Sequence, residues 1–82
     1  MHCILEFLTK DGASIASQYY HGEIKFHNGV AEFEGTPYSM GKPKKYILEE
    51  AVLLKISGHA NNSMTLRGKM SGARCQWRIR PR

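Results

Sequence analysis

The chain has 82 residues, of which 41% are hydrophobic and 23% charged, with eight glycines and a formal net charge of +5. A chain of this length makes one domain, residues 1–82, and removes only about 60% of its unfolded surface from water, so its core is thin, little room is left for a deep substrate cleft, and a binding surface is the more natural expectation. The composition is that of a folded globular chain, not of a disordered or collagenous one, and no apolar stretch approaches the length of a membrane-spanning helix.

Taken from the amino terminus, "HCILEFLT" is a strand-like apolar run, residues 10–12 ("KDG") are a turn, and "ASIASQYY" returns as a second strand. A break is expected at His21 and Gly22. The next segment, "EIKFHNGVAEFE", carries the strongest local signal, because Asn28-Gly29 supplies the two positive-φ positions of a type I′ turn between runs of alternating polarity. A two-residue turn fixes the register: His27 faces Val30, Phe26 faces Ala31, Lys25 faces Glu32 and Ile24 faces Phe33. Ile24, Phe26, Ala31 and Phe33 then share the buried side, and Lys25 and Glu32 pair across the wet side.

Residues 35–46, "GTPYSMGKPKKY", combine two prolines, two glycines and three lysines without periodicity and read as one long loop. "YILEEAVLLKISG" is ambiguous. Leu48, Ala51, Val52 and Lys55 match helical spacing, but Ile47, Leu53 and Ile56 scatter around the cylinder. A strand over residues 52–57 is the preferred reading, lined by Val52, Leu54 and Ile56, after a helical turn or bulge at Glu49-Glu50. "GHANNS" is a further turn.

From Ser63 onward the alternation is cleanest. Met64, Leu66, Gly68 and Met70 interleave with Thr65, Arg67 and Lys69, and Ala73, Cys75, Trp77 and Ile79 interleave with Arg74, Gln76, Arg78 and Arg80. A two-residue turn at Ser71-Gly72 sets Lys69 against Arg74, Arg67 against Gln76, Leu66 against Trp77 and Thr65 against Arg78. One face is apolar, with Trp77 inward, and the other is basic. The expected fold class is all-β: an antiparallel meander of about six or seven short strands forming a small barrel or two-layer sheet, with one short helical turn allowed near residues 44–51.

The charge is unevenly spread. Residues 1–63 hold six cations, all lysine, against seven carboxylates, whereas residues 64–82 hold six cations, five of them arginine, and no carboxylate. Like charges facing each other across strands are destabilising, and arginine's planar fork suits phosphate or carboxylate better than plain solvation. Arg67, Lys69, Arg74, Arg78 and Arg80 therefore form the candidate site for nucleic acid or for an acidic protein surface. Lys42, Lys44 and Lys45, with Tyr38 and Tyr46 beside them, extend it if their loop folds over the same side. The bland alternative is a solvated sheet face and a solvated loop anchored by its tyrosines.

No competing chemistry is visible. His2, His21, His27 and His59 show no metal-ligand spacing with the cysteines, and no phosphate loop, dinucleotide fingerprint or nucleophile elbow occurs, so no metal, cofactor or catalytic role is expected. The amino terminus lacks the marks of a signal peptide, which points to the cytoplasm and to reduced thiols at Cys3 and Cys75. Two functions follow as expectations. The first is a non-enzymatic nucleic-acid-binding module. The second is a small interaction or inhibitor module of the mobile-element type, whose arginine face docks on an acidic surface that normally receives nucleic acid.

Overall fold

The computed structural model describes residues 1–55 and 63–82, with the backbone alone for residues 16–18 and 55. Six strands follow one another: β1 (His2–Leu8), β2 (Ser14–His27), β3 (Val30–Pro37), β4 (Lys44–Lys55), β5 (Met64–Met70) and β6 (Ala73–Pro81). Each pairs antiparallel with the next, and β6 returns to β1 with Cys3 opposite Pro81 and Leu8 opposite Gln76, closing a six-stranded barrel. Closure resolves the choice between barrel and two-layer sheet, and it removes the two outer edges that an open meander of this size would leave unpaired.

Both predicted tight hairpins form in the expected register. β2 and β3 pair with His27 opposite Val30 and Ile24 opposite Phe33. β5 and β6 pair with Lys69 opposite Arg74 and Leu66 opposite Trp77. Their turns hold Asn28 at φ 48 and Gly29 at φ 75, and Ser71 at φ 52 and Gly72 at φ 81, the left-handed pair that a type I′ turn requires.

The inward rows meet in one core. Leu5, Ile24, Phe33, Leu48, Leu66, Trp77 and Ile79 are essentially inaccessible. Around the Phe7 ring stand Tyr20, Tyr46 and Trp77, with centroids at 5.6, 5.1 and 5.9 Å and edges turned to faces. The Tyr46 hydroxyl donates to the Tyr20 hydroxyl at 2.9 Å. A barrel of this size is filled by its own side chains, which leaves no interior ligand chamber. Phe26 follows the inward row yet is 48% exposed, because it sits one residue from the hairpin tip, where that row runs out of the barrel's end.

Four expectations are corrected. The break at His21 and Gly22 does not occur, since β2 runs through it. Gly22 lies opposite Gly35, and a Cβ on either would collide with the backbone of the facing strand, so these glycines mark a close approach of two strands and not a turn. The loop of residues 35–46 shrinks to residues 38–43, because Gly35 to Pro37 still pair with β2 and Lys44 already pairs with β3. No helical turn forms over residues 44–51. The other alternative expected at Glu49-Glu50, a bulge, is what β4 carries between Glu49 and Val52, with Glu50 at φ 51, and the extra residue turns both Glu49 and Val52 toward the side that Lys69 and Arg67 share. That reset is why the segment shows neither a clean strand period nor a clean helical one. It also leaves Val52 56% exposed and not lining a core. The turn expected at "GHANNS", the end of the strand at Ile56 and Ser57, and His59 lie outside the described residues, except that Ser63 leads into β5.

Cys3 and Cys75 both face inward but stand at opposite ends of the barrel, with Cys3 beside Pro81 and Cys75 beside Gly68. Six residues of strand separate these levels, about 20 Å, so the two free thiols do not meet.

Candidate nucleic-acid interface

The alternation of β5 and β6 sends Arg67, Lys69, Arg74, Arg78 and Arg80 to the outer wall while Trp77 and Ile79 are buried beneath them. Lys69 faces Arg74 directly, as the turn dictates. What the closed barrel adds is the neighbour on each side of this ribbon. β1 brings Glu6 opposite Arg78, with an Oε1 to Nη1 separation of 3.7 Å. The β4 bulge brings Glu50 to Lys69, at 3.2 Å.

Glu6 is 3% exposed although it lies on the outer side of β1, so its carboxylate is a fixture of the wall that meets a partly covered arginine. Two of the five ribbon cations thus have an acidic partner inside the molecule. Arg67, Arg74 and Arg80 have none among the described residues. Arg80 lies along the wall opposite Ile4, partly buried, with its Nε covered and without a hydrogen-bond partner among the described residues.

Beside the ribbon, the turn after β1 adds a sixth cation. Lys10 joins Arg67 and Arg74 in lining an open groove of about 570 Å³, whose other walls include Leu8, Thr9 and Gln76. No carboxylate lines it. Asp11, next to Lys10, is exposed and stands outside the lining. A short relay fixes one wall: the Gln76 side-chain amide donates to the Thr9 carbonyl at 3.0 Å, and Arg67 Nε donates to Gln76 Oε1 at 2.9 Å. Cys75 also borders the groove, but burial pushes its thiol above the ordinary value. That direction disfavours a thiolate nucleophile.

The loop lysines do not join this wall. Lys45 faces Glu34 on β3 and borders a separate depression of about 330 Å³ together with Glu23, Lys25, Glu32 and Glu34. Lys44 faces Gly35, Lys42 stays in the loop, and none of the three lines the cationic groove. Sequence reading missed Lys10 and Glu6, because their place depends on the pairing of β1 with β6. The one available signal was that a meander with apolar strands at both ends gains by closing.

Among the described residues no group of three or more His, Cys, Asp and Glu is arranged to hold a metal ion. Among the described residues, too, no helix is long and apolar enough to cross a membrane. Comparison with protein-family models, curated proteins and solved structures gives no match, so the functional argument rests on this geometry alone.

Proposed function

We propose that the protein is a non-enzymatic nucleic-acid-binding module that engages phosphates with the outer wall of β5 and β6. The observation that carries the reading is the acid-free groove in which Lys10, Arg67 and Arg74 converge. Arg80 extends it along β6, while Lys69 and Arg78, each with a carboxylate partner, contribute less. Folding alone gives no reason to gather these cations, since like charges on adjacent strands oppose the pairing they sit on.

Binding of a labelled single-stranded oligonucleotide, titrated over salt concentration, tests the reading. Four uncompensated cations predict a slope of log Kobs against log salt of about −3. Absence of binding at low salt removes the proposal.

A second reading, docking on an acidic protein surface, is favoured by one feature of its own. Val52 stands 56% exposed directly opposite Arg67, so an apolar side chain borders the cations, as apolar groups do in protein interfaces. Its sign is a protein partner retained after nuclease treatment and lost when Arg67, Arg74 and Arg80 become Glu.

A further inference from the structure

The groove is built for more charge than an internal phosphate carries. Three cations line it, no carboxylate does, and the position of one cation is fixed before any ligand arrives. Thr9 is the anchor. Its carbonyl accepts from Gly12 N at 3.0 Å and from the Gln76 amide at 3.0 Å, while its own N donates to the Ala13 carbonyl at 2.8 Å and its hydroxyl accepts from Ala13 N at 3.1 Å. The turn that carries Lys10 is therefore tied to β6 through Gln76, and Gln76 in turn holds Arg67 by its Nε. The terminal nitrogens of Arg67 are left to donate into the groove as a planar fork.

An internal phosphodiester brings one negative charge to such a site, whereas a terminal phosphate brings up to two at neutral pH and three acceptor oxygens. Building on the nucleic-acid reading, we infer that the groove formed by Lys10, Arg67 and Arg74 binds a phosphomonoester at the end of a nucleic-acid strand. The remaining cations, with Arg80 foremost, follow the chain away from that end. Gln76 is a positioning residue, acting through Arg67.

The test compares one single-stranded oligonucleotide carrying a 5′-phosphate, a 3′-phosphate or hydroxyls at both ends, by fluorescence anisotropy at fixed low salt. A phosphorylated end is expected to bind about tenfold tighter than hydroxyl ends, the effect of one added set of charge-assisted bonds. Whichever of the two phosphorylated ends is preferred identifies the strand polarity.

The preference is expected to vanish in Arg67→Gln and in Lys10→Gln and to shrink in Gln76→Leu. In Arg80→Gln it persists while all three affinities fall together. It also fades as the pH is lowered through about 6, where the terminal phosphate loses its second charge. Among the described residues no carboxylate or histidine lines the groove to mimic that profile; its charged lining groups are Lys10, Arg67 and Arg74.

Unchanged far-ultraviolet circular dichroism and emission of the buried Trp77 verify that each variant is folded. Equal affinity for all three oligonucleotides overturns this inference and leaves the nucleic-acid reading standing. Binding of none of them overturns both. Competition by a mononucleoside monophosphate at the same concentration as the phosphorylated oligonucleotide overturns the assignment to a strand end and makes the ligand a small phosphomonoester.

Discussion

The barrel contains two hairpins built on the same plan and used differently. Asn28-Gly29 and Ser71-Gly72 make the same left-handed two-residue turn, and each hairpin buries its inward row, Ile24 with Phe33 in one and Leu66 with Trp77 in the other. On the outside they part. The first is acidic, with Lys25 facing Glu32 but Glu23 facing Glu34, and the second is basic, with Lys69 set against Arg74. Turn chemistry and the inward row are enough to fold either ribbon, so the difference on the outside is not a folding requirement. One ribbon thus carries an excess of carboxylates outside and the other an excess of cations, and under the proposed function it is the second that meets phosphate.

The largest expected effect breaks this comparison by exchanging outer faces. Arg67→Glu combined with Arg74→Glu is expected to weaken oligonucleotide binding at least 100-fold, since two phosphate contacts of about 1.5 kcal/mol each become repulsions. The control, Lys25→Glu with Glu32→Lys, reverses a balanced pair on the other ribbon and is expected to leave affinity within about twofold, as charges on the far side are screened within about 10 Å. Equal losses in the two variants, measured by anisotropy, mean that the ribbons do not differ in function.

Next in size is Glu6→Gln. The carboxylate is almost wholly buried and faces Arg78, whose side chain is 26% exposed. Removing its charge leaves that arginine without an acidic partner, and the expected loss is about 1–2 kcal/mol of stability by urea unfolding, less than for a fully buried pair because Arg78 retains some water. The same change releases a cation on the binding wall, so affinity for nucleic acid is expected to rise as stability falls. A variant that loses affinity along with stability would show Arg78 to be a structural group with no share in the site.

The contrast between the hairpins also explains what the sequence could tell. Within each ribbon the register hangs on two turn residues, so the inward Trp77, the outward arginines and the Lys69 to Arg74 opposition were all legible from spacing. Beyond a two-residue turn nothing local sets the pairing. The closure of β6 on β1, which delivers Glu6 to Arg78 and ties Gln76 to the Lys10 turn, joins segments about 70 residues apart. Gly22 misled for a related reason: glycine reads as a break when its partner is unknown and as a close strand crossing once Gly35 is seen opposite it. The bulge at Glu50 hid β4 by inserting one residue into the alternation.

Alkaline titration sharpens the comparison from inside the barrel. Burial, and then the hydroxyl of Tyr20, push Tyr46 up to about 12, and burial pushes Cys3 up to about 11 against the opposing pull of the amino terminus. Both groups are harder to ionise folded than unfolded, so each contributes its stability fully below its unfolded value, about 9 for the thiol and 10 for the phenol, and loses it as pH rises through the folded value. Stability is therefore expected to decline from about pH 9 to about pH 12. Tyr46→Phe reduces the decline above pH 10, most of all between about pH 11 and about pH 12, while preserving the ring contact with Phe7. An unchanged profile in that variant, by urea unfolding at stepped pH, would show that the hydroxyl pair is not a source of alkaline sensitivity.

The smallest effect bears most directly on why the cations were gathered. Arg74→Glu alone places a carboxylate opposite Lys69 and gives the second hairpin the same cross-strand arrangement that Lys25 and Glu32 give the first. Such a pair is worth about 0.2–1 kcal/mol over a like-charge one. Lys69 already has Glu50 at 3.2 Å, so the gain belongs at the low end of that range. A variant that melts slightly higher while binding nucleic acid less tightly would show that affinity and stability are opposed at this position, with the native arginine kept on the side of affinity. A variant that melts lower would mean that Arg74 supports the hairpin through its stem, and the charge asymmetry between the two ribbons would then need no binding partner to explain it at this site.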